Sequence, residues 1–162
     1  MLGDRWGVSD AEVARRYPCD EFVADPVLQA WRGVTVGAAP SLVWPWVIQL
    51  RLAPYSYDWV DNLGRRSPRQ LRALPDPVAG EAFTATAGRP VGRVLSVVPG
   101  EQYTGAILGA VMSYVLVPGG DETRLLLKIV MARGRLLAPA VSLGDLVMAR
   151  RQLLNLKELA ED

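Results

Sequence analysis

AVMSYVLVPGGDETRLLLKIVMARG, residues 110–134, reads as two β-strands joined by a turn. Both arms are rich in Val, Leu and Ile, and the Pro-Gly-Gly-Asp between them is turn chemistry. Side chains alternate across a strand, so Met112, Tyr114 and Leu116 share one face of the first arm, and Val111, Ser113, Val115 and Val117 share the other. In the second arm Leu125, Leu127, Ile129 and Met131 form an apolar face, opposite a mixed one of Arg124, Leu126, Lys128 and Val130. One side of the sheet containing them is expected to look into an interior.

The chain before this pair repeats the pattern. GEAFTATAG (80–88), PVGRVLSVVPG (90–100) and EQYTGAILG (101–109) are short β-rich runs punctuated by Gly or Pro-Gly, as in an antiparallel meander. WRGVTVG (31–37) alternates and ends at glycine, which predicts a first strand. In APSLVWPWVIQLRL, Ser41 is the candidate cap and Val43, Trp46, Val47 and Leu50 fall at helical spacing, with Pro45 tolerated in the first turn. Trp44 and Trp46 read as packing residues. Residues 9–16 suit one or two helical turns capped by Ser9 or Asp10, with Glu12 at capping-box spacing from Ser9. Residues 1–30 are read as a mobile or wrapping arm and 31–162 as the domain proper.

The C-terminal stretch predicts a long helix. Ser142 is its expected cap, with Asp145 three residues on, and Leu143, Leu146, Val147, Leu153 and Leu154 fall on one stripe. Arg150 lands in the middle of that stripe. An unpaired guanidinium in an apolar setting is costly, so Arg150 either reaches past the sheet edge to water or pairs with Asp58, Asp61 or an anionic group on a ligand.

Composition excludes several kinds of chemistry. The chain of 162 residues has no histidine and one cysteine, Cys19, which leaves no internal disulfide, no zinc-type or iron–sulfur constellation and no Ser-His-Asp machinery. No metal site is expected, and no cofactor: GRPVGRV lacks the spacing and context of a phosphate-binding glycine loop. With 18 basic and 17 acidic residues, net +1, no broad field recommends nucleic acid or an anionic membrane as partner. The apolar run GAILGAVMSYVLV (105–117) is shorter than the roughly 20 residues of a spanning helix, and the first residues lack the continuous apolar core of a signal peptide. A cytoplasmic address is expected. Cys19 has only Arg15 and Arg16 nearby as activators and reads as an inert thiol.

YSYDWVDNLGRRS, residues 55–67, opens the longest irregular stretch, which runs from Ala53 to about Gly80; such loops often carry function. Tyr55, Tyr57 and Trp59 offer apolar bodies with polar tips, either to a ligand or as a plug for the open end of the core. Asp58, Asp61 and Asn62 are candidates to orient a polar ligand group or to bond Arg65 and Arg150. The two carboxylates stand three apart on a helical face, a spacing open to acid–base work and equally to caps or salt bridges. Tyr103 and Tyr114 are cavity candidates if their faces point inward, and Tyr114, sharing a face with Met112 and Leu116, is taken to do so.

The order strand, helix, irregular segment, antiparallel run and long C-terminal helix resembles the helix-grip fold of the START-like superfamily, also called SRPBCC or polyketide cyclase/dehydrase proteins. The likeness covers about residues 30–160. It rests on WRGVTVGAAPSLVWPWVIQLRLAPYSYDWVDNLGRRSPRQL, on the strands ending TRLLLKIVMARG, and on GDLVMARRQLLNLKEL, of which the first and last look like an uncharacterised bacterial branch. The resemblance implies an α+β fold: a curved antiparallel sheet of six to seven strands wrapped around the last helix, with a mostly apolar cavity between them. Six strands are legible; a seventh is expected from residues 68–87 or from splitting a longer run. Members of this superfamily include lipid carriers, receptors, allergens and ring-closing enzymes, so three functions follow as expectations. They are carriage of a small hydrophobic molecule such as a lipid or polyketide, a cyclase- or dehydratase-like reaction using Asp58, Tyr57 or Arg150, and an interaction module with a filled interior. The expected ligand contacts are Tyr55, Tyr57, Asp58, Trp59, Asp61, Asn62, Met112, Tyr114 and Arg150. Oligomeric state is open, because Trp6, Tyr17 and Phe22 of the arm could pack on the same chain or on a neighbour.

Overall fold

The computed structural model describes residues 3–132, the backbone of residues 138–162 and the side chains from 147 onward. Its elements are β1 (Arg5–Trp6), α1 (Asp10–Ala14), β2 (Leu28–Val36), α2 (Pro40–Ile48), α3 (Asp58–Asp61), β3 (Thr84–Thr86), β4 (Arg89–Val91), β5 (Arg93–Val98), β6 (Gln102–Ile107), β7 (Ala110–Gly119), β8 (Glu122–Met131) and α4 (Ala138–Glu161). One sheet has the order β1-β2-β8-β7-β6-β5; β1 runs parallel to β2 and every other pair is antiparallel. The architecture is α+β, an open six-stranded mixed sheet with α4 packed against it.

β7 and β8 pair along their full lengths, from Ala110↔Met131 to Gly119↔Glu122. The inner face is as expected: Tyr114, Leu116, Leu125, Leu127 and Ile129 are buried with Met112 and Met131 packed against them, and Tyr103 of β6 joins the same core. The opposite face is buried as well. Val111, Val115, Leu126 and Val130 form a second core with Trp31 and with Tyr17 and Cys19 of the arm. This explains the unbroken run LLLKIV in β8, since a strand covered on both sides has no need to alternate.

The arm is held on that outer face by specific polar contacts. Ser9 caps α1 and Glu12 returns the capping-box bond. Both oxygens of Glu12 also accept from Arg124 of β8, at 2.7 and 3.0 Å. Lys128, nearly buried, reaches Asp20 at 2.5 Å and lies over the rings of Tyr17 and Trp31. The Cys19 amide donates to Ser113, whose hydroxyl is 2.8 Å from that of Thr104. Trp6 and Tyr17 pack on their own chain, while Phe22 is 45% exposed. Burial pushes the Cys19 thiol up to about 11, so it stays protonated at neutral pH.

Several local expectations are corrected. The first strand starts at Leu28, three residues before the predicted Trp31. α2 starts at Pro40 with Ala39 as N-cap, so Ser41 is not the cap; proline at the first helical position has its φ already set and needs no donor there. Pro45 consequently lies inside the helix. GEAFTATAG does not join the main sheet: β3 pairs with β4 in a separate two-stranded hairpin, and the sixth strand of the sheet is β1 from the arm. α4 begins at Ala138, four residues ahead of the expected cap at Ser142. The side chains of Ser142, Leu143, Asp145 and Leu146 lie outside the described residues.

The buried stripe of α4 is Ala149, Leu153, Leu156 and Leu159. Val147, assigned to the stripe from sequence, is 50% exposed. Glu161 accepts from the amide of Gly37 at 2.5 Å, and Lys157 donates to the Thr35 carbonyl at 2.8 Å, fixing the end of α4 to the end of β2.

Candidate functional site

A cavity of about 290 Å³ opens between the inner sheet face and α4. Phe83, Ile107, Leu108, Met112, Met148 and Ala149 give it an apolar wall, and Ser56, Asp61, Thr84, Thr86, Tyr114 and Gln152 add polar groups. Phe83 reaches it because position 105 on β6 is glycine. A Cβ there would stand 2.1 Å from the Phe83 ring, so the ring occupies the space a side chain would take. The ring packs 4.9 Å from that of Tyr103 and 6.3 Å from that of Tyr114, centroid to centroid. Tyr103 donates to the Phe83 carbonyl at 2.6 Å, fastening the segment before β3 to the sheet.

Tyr114 extends from β7 and donates to Gln152 Oε1 at 2.6 Å; Gln152 in turn donates to the Pro54 carbonyl at 2.6 Å. Asn155 donates to the carbonyls of Tyr55 and Ser56 at 3.0 and 3.3 Å. Neutral amides thus tie residues 54–56 to α4, and Arg69 further along the irregular segment adds an ion pair with Glu158 at 3.0 Å. The alternative pairing of Arg150 with Asp58 or Asp61 is corrected: Arg150 is exposed, and its guanidinium lies 5.0 Å from the Trp6 ring centroid. The turn of α4 that buries Ala149 and Leu153 leaves Arg150 at the solvent side, in agreement with the reading that it reaches water.

The remaining residues of the opening segment separate into distinct roles. Tyr55 is buried in left-handed backbone with φ 54°, a conformation that costs a non-glycine residue about 1–2 kcal/mol. Its hydroxyl donates to the Pro68 carbonyl at 2.6 Å and accepts from Gln49 at 2.7 Å, contacts that hold it there. Asp58 accepts from the Ser67 hydroxyl at 2.6 Å and amide at 2.8 Å, closing the loop on itself. Asn62, buried, donates to the Arg65 carbonyl at 2.5 Å and accepts from the Ala87 amide at 2.7 Å, which clasps the segment to the β3–β4 hairpin. Tyr57 and Trp59 line a neighbouring groove of about 520 Å³ with Tyr55 and Asp58. Trp59 is 77% exposed.

Asp61 does face the cavity. Burial raises its carboxyl above the usual range, opposed in part by hydrogen bonds from Ser56 and nearby backbone. Its Oδ1 is enclosed without a hydrogen-bond partner within normal distance.

Met112, Tyr114 and Asp61 are thus gathered at the cavity, and Tyr55, Tyr57, Asp58 and Trp59 at the groove beside it. Asn62 and Arg150 line neither. Sequence reading passed over Phe83, Ser56 and Gln152. The signals for the first were an aromatic residue within an otherwise small, polar run and a glycine on a strand opposite it. No helix among the described residues is long and apolar enough to cross a membrane.

No protein-family model matches the sequence. No curated protein does either. Solved structures do match in shape. The Polyketide_cyc-like protein Cgl2372 of Corynebacterium glutamicum is 14% identical with a TM-score of 0.52, over 85% of this chain and 93% of that one. Protein NE0264 of Nitrosomonas europaea is 13% identical with a TM-score of 0.55, over 85% and 96%. Protein CV1439 of Chromobacterium violaceum is 19% identical with a TM-score of 0.51, over 83% and 97%. At these identities the likeness speaks to architecture alone: the chain shares with these proteins, one of them Polyketide_cyc-like, an antiparallel-dominated sheet with a long C-terminal helix packed against it, as the helix-grip expectation had it.

Proposed function

We propose that the protein binds and carries a small hydrophobic molecule, of lipid or polyketide character, in the cavity between the sheet and α4. The observation that carries this reading is the hollow itself: about 290 Å³ walled by Phe83, Ile107, Met112 and Met148. Ligand pockets commonly start near ~300 Å³. At the ~30 Å³ that a water molecule occupies in the liquid, the space holds about ten heavy atoms. The Tyr114–Gln152 pair and Asp61 supply the few polar groups that fix orientation in such a pocket. A hollow of this size weighs against an interaction module with a filled interior.

A thermal-shift titration with 1-octanol or 1-decanol tests the reading. A ligand at ~100 times its Kd stabilises by about 2.7 kcal/mol, so Tm rises by roughly 5–10 °C in a chain of this size. The rise disappears in Ala149→Phe, which projects a ring into the space. Equal shifts in both proteins, or none in either, contradict the proposal.

Asp61 favours one second reading, a cyclase- or dehydratase-like reaction in the same cavity. A carboxyl that burial raises from its ordinary value, beside an apolar hollow, is a candidate to carry a proton in the reaction. Turnover of a polyketide-type substrate lost in Asp61→Asn, with ligand binding retained, supports it; unchanged turnover removes Asp61 from the chemistry.

A further inference from the structure

Most hydrogen-bond donors around the cavity are already spent on the protein itself. Ser56 donates its hydroxyl proton to the Met148 carbonyl at 2.9 Å, and Thr84 donates to the Leu50 carbonyl at 2.8 Å. Tyr114 donates to Gln152, and Gln152 donates to the Pro54 carbonyl, each at 2.6 Å. All four residues line the hollow. What is left to donate is the Thr86 hydroxyl and the second amide proton of Gln152.

The charges are more lopsided still. Among the described residues one carboxylate, that of Asp61, lines the cavity, and no lysine or arginine does. Asp61 has no ion pair with any described residue, and Arg150 lies over the Trp6 ring instead. The Asp61 Oδ1 is shut off from solvent and has no hydrogen-bond partner. Burial raises the carboxyl, and the negative charge of Asp58 pushes the same way. An anion in such surroundings gains from a counter-charge and repels a second anion.

We infer that the cavity selects amphiphiles by a hydrogen-bond-donating polar end, with Asp61 as the head-group contact. It takes an alkylammonium in preference to an alcohol, and an alcohol in preference to a carboxylate. The inference rests on the cavity reading above and adds the sign of the ligand's head to it. An ammonium brings three donors and the positive charge that the cavity wall lacks. A hydroxyl brings one donor and no charge. A carboxylate brings neither, and sets a second negative charge beside the first.

Isothermal titration calorimetry at pH 7 with octylammonium, 1-octanol and octanoate tests it. In the parent protein octylammonium is expected to bind about tenfold or more tightly than 1-octanol, and octanoate about tenfold or more weakly. Asp61→Asn keeps the outline of the side chain and removes its charge. In that variant the spread collapses, while the affinity for 1-octanol stays as it was. Octanoate binding as tightly as octylammonium in the parent protein overturns the head-group assignment, as does an unchanged preference in Asp61→Asn. In either case 1-octanol that binds the parent and not Ala149→Phe leaves the cavity standing. Octylammonium that still binds Ala149→Phe lies outside the cavity and also overturns the assignment. If none of the three binds, the cavity reading falls and the head-group contact with it. Should Asp61→Asn not fold, the ranking in the parent protein decides by itself.

Discussion

The two faces of the sheet are covered in opposite ways. On the outer face, arm and strands are joined by satisfied polar contacts: Arg124 with Glu12, Lys128 with Asp20, and Cys19 with Ser113. On the inner face, α4 meets an apolar surface that closes around Leu153 and Leu156 and parts around Met112 and Phe83. Buried polar groups need defined partners, so the outer interface is specific. Apolar packing has no such demand, and a hollow can persist wherever the helix and the sheet diverge. The proposed ligand space lies on the inner face, at the end of the core away from the Gly37–Glu161 contact.

Substitutions at the two ends of the inner face sharpen this contrast most. Leu153, fully buried at the closed end, is expected to cost about 2–5 kcal/mol on replacement by Ala. Met112→Ala beside the hollow costs distinctly less, because that side chain already borders empty space. Urea unfolding of the two variants measures both, and equal losses would remove the distinction between the ends. Next in size is Gly105→Ala, whose new Cβ has no room beside the Phe83 ring. Overpacking of this kind costs about 1–3 kcal/mol, and the displaced ring also reduces binding of octanol-sized ligands. Retained stability and affinity together would show that Phe83 does not wall the cavity.

The outer face gives smaller, pH-dependent effects. The hydrogen bond from Arg124 holds the Glu12 carboxyl below its ordinary 4.5. Its contribution is therefore complete above that value and is lost as pH falls through the lowered one. Because the pair is partly exposed, Glu12→Gln is expected to cost of order 1 kcal/mol or less at pH 7. The difference from the parent shrinks as pH falls below 4.5; unfolding curves at pH 7 and in acid check the sign. The smallest effect concerns Cys19. With its thiol pushed up to about 11, it reacts with a thiol reagent at pH 7.5 only after unfolding, and rapid labelling of the native protein would indicate that the arm opens.

The same contrast explains what could be read from sequence. The inner-face residues of β7 and β8 were legible because alternation is a property of a few adjacent side chains. The general course of α4 was legible from its stripe. Its rotation was not, since a shift of one position separates buried Ala149 from exposed Arg150, and only contact with β2 and α2 decides between them. β1 is two residues long and exists because Gly7 allows the arm to approach the Gly33 carbonyl. No local pattern announces such a strand. The carboxylates of residues 55–67 suggested charge pairing with Arg150, where the observed links of Pro54, Tyr55 and Ser56 to α4 run through Gln152 and Asn155. Phe83 enters the cavity over Gly105, twenty-two positions away, a contact made when the segment before β3 packs on the face of the main sheet.

Native mass spectrometry of the freshly purified protein, run beside Ala149→Phe, addresses the hollow most directly. The parent protein is expected to carry an additional noncovalent mass of a small apolar or amphiphilic molecule that the filled variant lacks. A bare parent protein that also gains no mass when offered octanol or octanoate, or an adduct equally abundant in the variant, would contradict a ligand cavity beneath α4.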